Sequence, residues 1–91
     1  MKTFVAICDD ENRVASELEQ ILIDIFSSLG IKYEIDVLYS GLKLKKELES
    51  GSHYDIIFLD IEFAKEEING VEIGRLIRDA HKNNTVAIVF I

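Results

Sequence analysis

Hydrophobic positions along the chain come in two alternating rhythms. Phe4-Val5-Ala6-Ile7-Cys8 is a short unbroken apolar run, the pattern of a buried strand. From Val14 the apolar residues recur as Val14, Leu18, Ile21, Leu22, Ile25 and Leu29, with Glu17, Glu19, Gln20 and Asp24 opposite. That is helical spacing, and Gly30 supplies a C-terminal stop. Residues 31–38 mostly alternate between apolar and polar, as expected of a strand with one exposed face at a sheet edge. Ser40-Gly41 opens a second helix carrying Leu42, Leu44 and Leu48, which Gly51-Ser52 ends. Tyr54 to Leu59 runs from a polar start into an apolar block that stops at Asp60. Residues 61–69 are acidic and aperiodic and read as a loop, closed by the turn signal Asn69-Gly70. Val71, Ile73, Gly74, Leu76, Ile77 and Ala80 form a third helical face, broken at His81-Lys82-Asn83-Asn84. Thr85 to Ile91 is a last, almost entirely apolar strand.

The order β-α-β-α-β-α-β predicts a parallel α/β sheet with right-handed crossovers. The two later apolar strands are expected to be central and the alternating one to be an edge. In such a sheet, strand ends align at the carboxyl edge, where ligand sites lie. Asp9 and Asp10 end the first strand and Asp60 ends the third. If those strands are neighbours, three carboxylates share one crevice. Like charges so placed raise one another's pKa, and a hard divalent cation relieves the repulsion. Few carboxylates and no softer ligands suit Mg2+, which keeps several waters. The competing structural role for Asp9 or Asp10 is to cap the first helix. Asp60 alone could be no more than a solvated strand end.

Composition narrows the picture. With 91 residues, 48% of them hydrophobic, the chain can form one small packed domain. A formal net charge of −7 argues against nucleic-acid binding by this segment. The single cysteine, Cys8, excludes an internal disulfide, fits a cytoplasmic location and reads as a small buried residue. No apolar run reaches the length of a membrane span, so no membrane partner is expected. His53 and His81 read as surface or capping residues, Lys43, Lys45 and Lys46 as a solvated face, and Phe63 as an exposed contact at most.

Val5-Ala6-Ile7-Cys8-Asp9-Asp10-Glu11, Ile56-Ile57-Phe58-Leu59-Asp60-Ile61-Glu62 and Asn69-Gly70-Val71-Glu72 resemble the motifs of response-regulator receiver domains of two-component systems. The wording Ile-Cys-Asp-Asp-Glu and Leu-Asp-Ile-Glu is most similar to receivers attached to LytTR-type DNA-binding domains, the AgrA-like and ComE-like branch. The resemblance implies a flavodoxin-like (CheY-like) fold with Asp60 as phospho-acceptor. It implies Mg2+ held by Asp10, Asp60 and the backbone carbonyl of Glu62, with Asp9 acting through water. It also implies a sensor histidine kinase as partner, no enzymatic turnover beyond self-phosphorylation and autodephosphorylation, and transcriptional output through a separate domain.

Receivers continue past the fourth strand to a Ser or Thr, a fifth strand ending in Lys, and two more helices. By that comparison residues 1–91 are the N-terminal portion of a receiver, with the output domain absent. The loop at 61–69 lacks the common Met-Pro pair. The open last strand Thr85–Ile91, or the sheet face beside it, is expected to drive self-association. The alternative class is a non-phosphorylated pseudo-receiver that docks a partner. A phosphohydrolase using Asp60 ranks last, because the Asp-x-Asp pattern it needs after the first strand is replaced by adjacent Asp9-Asp10.

Overall fold

A computed structural model describes residues 1–60, 70–82 and 85–91, with residues 70–72 described for their backbone alone. Seven elements follow in the expected order: β1 Thr3–Cys8, α1 Asn12–Leu29, β2 Tyr33–Leu38, α2 Gly41–Glu49, β3 Ile56–Leu59, α3 Gly70–Ala80 and β4 Ala87–Phe90. The strands form one sheet in the order β2-β1-β3-β4, and every pairing is parallel.

Alternation along the central strands splits the interior in two. Val5 and Ile7 of β1 point to one face, where they pack with Ala15, Leu22 and Phe26 of α1. Ala6 and Cys8 point to the other, where they join Ile57 and Leu59 of β3, Leu44 and Leu48 of α2, and Ile73 and Ile77 of α3. Side chains buried on both sides are what an unbroken apolar strand requires. Burying such a side chain contributes roughly 1.5–3 kcal/mol.

The strand order, two helix faces and the α1 cap differ from expectation. β1 and β3 are the central strands; β4 pairs only with β3 among the described residues and lies at an edge, with Phe90 62% exposed. Its apolar pattern matches a strand covered on both faces, and the described residues cover it only in part. In α1 the buried stripe runs through Ala15, Leu22 and Phe26, while Val14, Ile21, Ile25 and Leu29 are exposed. Helical spacing identified the element, but excess apolar residues left the inward face ambiguous. Leu42 of α2 is also exposed. Finally, neither Asp9 nor Asp10 caps α1: the N-cap is Glu11, which makes no side-chain capping bond.

The helix ends follow their local chemistry. Gly30 takes the left-handed conformation, φ 68°, and the N–H of Ile31 donates to the Phe26 carbonyl at 2.9 Å. This Schellman-type closure favours glycine. The Ser40 hydroxyl accepts from the Lys43 N–H at 3.2 Å and caps α2.

His81 is buried, which corrects its reading as a surface residue; the capping alternative fits, because its Nδ1 lies 2.8 Å from the Ile77 carbonyl near the end of α3. The Tyr54 N–H donates to its Nε2 at 2.8 Å, which ties the end of α3 to the approach to β3. His53 is exposed, as expected. Phe63 lies outside the described residues.

Candidate metal site

β1 is the strand from which the chain winds both ways, to β2 on one side and to β3 on the other. The crevice above the β1/β3 pair is therefore the topological switch point of the sheet. Cys8 and Leu59 are register partners, so Asp9 and Asp60 leave the sheet side by side. The Asp60 N–H donates to the Cys8 carbonyl at 3.0 Å, and the Asp9 N–H donates to the Leu38 carbonyl at 3.2 Å. These bonds extend both ladders to the base of the site. By strand alternation, Asp9 continues the side of Val5 and Ile7, and Asp60 that of Ile56 and Phe58. The two carboxylates thus leave the sheet on the same side, and Asp10 follows on the loop into α1.

One carboxylate oxygen from each of Asp9, Asp10 and Asp60 lies within 4.8 Å of the others. Asp9 is buried, at 4% exposure, Asp60 is half-buried and Asp10 is exposed. Asp9 Oδ1 accepts the Glu11 N–H at 2.9 Å, which fixes the loop ahead of α1. Burial pushes the Asp9 carboxyl above the ordinary carboxylate range. The Glu11 N–H opposes that shift, while the charges of Asp60 and Asp10 and a hydrogen bond with Asp60 add to it. Desolvation and like charge act together, and a cation would relieve both.

The donor set fits Mg2+. Octahedral coordination at about 2.0–2.1 Å spaces ligand oxygens roughly 2.9–4.2 Å apart, and three oxygens within 4.8 Å reach that with small side-chain adjustments. Among the described residues no other histidine, cysteine or acid joins the cluster. Cys8 faces the opposite side of the sheet, and its buried thiol is pushed up to about 12 by desolvation. The structure therefore brings together Asp9, Asp10 and Asp60; Glu62 lies outside the described residues.

No family model matches the chain, and no curated protein matches it. Solved structures do. One is the N-terminal domain of a response regulator/sensory box/GGDEF three-domain protein from Carboxydothermus hydrogenoformans. It superposes with a TM-score of 0.73 at 22% identity, over 97% of this chain and 62% of that one. Another is a trimeric coiled-coil segment of yeast Spc42 fused to a further protein of known structure. It also gives a TM-score of 0.73 at 22% identity, over 97% of this chain and 52% of that one. The chain thus spans between about half and two thirds of the length of these neighbours. Together with the observed strand order, the likeness establishes a flavodoxin-like (CheY-like) fold. No helix among the described residues is long and apolar enough to cross a membrane.

Proposed function

We propose that this chain is a receiver domain of a two-component response regulator and accepts a phosphoryl group on Asp60. The observation that carries the reading is the meeting of Asp9, Asp10 and Asp60 at the switch point of a receiver-type sheet. A carboxylate oxygen of Asp60 attacks phosphorus, and the bond from phosphorus to the donor breaks. The donor is the phosphohistidine of a sensor kinase or a small acyl phosphate, and the products are an aspartyl phosphate and the free donor. Asp10 and Asp60, with the carbonyl of Glu62, would hold Mg2+, and Asp9 would reach it through water. Bound there, Mg2+ supplies positive charge against the transferring oxygens. The protein's own part is positional. Strand ends hold Asp60 and Asp9, and the Glu11 N–H keeps Asp9 turned into the crevice.

The aspartyl phosphate adds charge at one edge of a rigid sheet and biases surfaces elsewhere, the general logic of a phosphorylation switch. In this reading the domain works in the cytoplasm beside its kinase, and its output is transcriptional, through a LytTR-type domain. Pairing of two copies through the exposed β4 edge belongs to the same proposal.

Magnesium titration followed by amide NMR tests the metal step. Saturable shifts confined to residues around Asp9, Asp10 and Asp60, and absent in Asp60→Asn, are expected. Shifts spread evenly over the acidic surface would contradict a defined site.

A further inference from the structure

We propose that His81 is a pH-sensitive latch between the C-terminal end of α3 and the start of β3. His81 is 3% exposed, and both ring nitrogens are engaged. The Tyr54 backbone N–H can only donate, so Nε2, 2.8 Å away, is the acceptor. The Ile77 carbonyl can only accept, so Nδ1, also 2.8 Å away, carries the proton. The two partners together fix the neutral ring in one tautomer.

Protonation puts a second N–H on Nε2, against the Tyr54 N–H. The Ile77 bond survives, because Nδ1 still donates, and the carbonyl end of α3 favours a positive ring. The Tyr54 bond does not. A charged His81 therefore stays with its own helix and lets go of β3.

The surroundings offer the charge little. The exposed His53 ring stands edge-on with its centroid 5.5 Å away, and the Tyr54 ring lies tilted at 6.5 Å. The Tyr54 phenol is committed to Asp36 Oδ2 of β2 at 2.9 Å. Ahead of β3, Asp55 is taken up by the Phe4 N–H at 2.8 Å. From α2, Glu47 accepts from the Ser52 hydroxyl, and Glu49 lines the groove shared with Leu76, Asp79 and Ala80 of α3. Arg78, Asp79 and Lys82 are the charges of the same α3 end, and all three are exposed. Among the described residues no carboxylate pairs with the His81 ring. The Tyr54 bond therefore requires a neutral ring, and no carboxylate among the described residues is placed to hold a charged one against β3. Ile73 and Ile77 remain in the core cluster, which keeps the opening local.

Hydrogen exchange resolved by NMR on the full 91-residue chain tests this. The Tyr54 amide protection factor, corrected for intrinsic exchange, is expected to fall as pH drops through and below the ordinary histidine range, by up to about tenfold per pH unit. Protection at Ile57 in the sheet is expected to change far less. His81→Gln keeps an acceptor near the Nε2 position but does not titrate, and is expected to abolish the response. His53→Gln is expected to retain it. Ring nitrogen shifts at about pH 7.5, above the ordinary histidine range, are expected to report the Nδ1–H tautomer. The latch is overturned by flat Tyr54 protection between about pH 7.5 and 5.5, by an undiminished response in His81→Gln, by its loss in His53→Gln, or by the Nε2–H tautomer.

Discussion

Replacing Asp9 by asparagine should stabilise the metal-free protein at neutral pH. In the parent, the Asp9 carboxylate lies within 4.8 Å of carboxylate oxygens of both Asp10 and Asp60. At that separation two unit charges repel by about 1 kcal/mol in water and about 3.5 kcal/mol at an effective dielectric constant of about 20. Asp10 is exposed, so its pair lies near the lower figure, while half-buried Asp60 lies between the two. The repulsion removed is then about 2–4 kcal/mol. Against it, the Glu11 N–H exchanges a charged acceptor for an amide oxygen, a loss of about 1 kcal/mol. The net gain is about 1–3 kcal/mol.

The pH dependence has a definite sign. The Asp9 pKa is raised in the folded state, so its contribution to stability is fully present below the unfolded carboxylate range. That contribution is lost as pH rises through the folded value. The asparagine side chain does not titrate, so the advantage of the variant should be full at about pH 7 and fade as acid protonates Asp9 in the parent. Urea unfolding in EDTA at a series of pH values measures it. Added Mg2+ should narrow the gap by stabilising the parent more than the variant. A variant no more stable than the parent at about pH 7 in EDTA, or an advantage unchanged down to about pH 4, would refute the electrostatic account.

Other consequences follow from the packing. Ile57→Ala empties a fully buried position of β3 beneath α3 and should destabilise the fold by about 2–5 kcal/mol in urea unfolding. The Cys8 thiol, with its pKa pushed up to about 12 by burial, should resist alkylation at about pH 8 in the folded chain and react at the ordinary rate in urea. If β4 edges pair, light scattering should show mass rising with concentration, and Phe90→Lys should suppress it. A parent that stays monomeric at high concentration would contradict the pairing.

The fold was largely legible because period-2, period-3.6 and unbroken apolar segments succeed one another with glycine or serine at most boundaries. The meeting of Asp9, Asp10 and Asp60 was legible as well. Carboxylates placed directly after two apolar strands must meet once β1 and β3 pair in register, as Cys8 and Leu59 do. Pattern failed where burial depends on partners distant in sequence. The inward face of α1 could not be chosen, because apolar residues ring much of that helix. The edge position of β4 was hidden by a run that carries no polar face. Nothing local marks His81 as buried, because its acceptor role depends on the backbone of Tyr54, far away in sequence.

Intact mass spectrometry after incubation with a small acyl phosphate and Mg2+ tests the central claim most directly, on the parent and on Asp60→Asn. A single phosphoryl adduct is expected on the parent, lost with EDTA and absent from the variant. An adduct on both proteins, or none on a parent shown by NMR to bind Mg2+ at the three carboxylates, would contradict it.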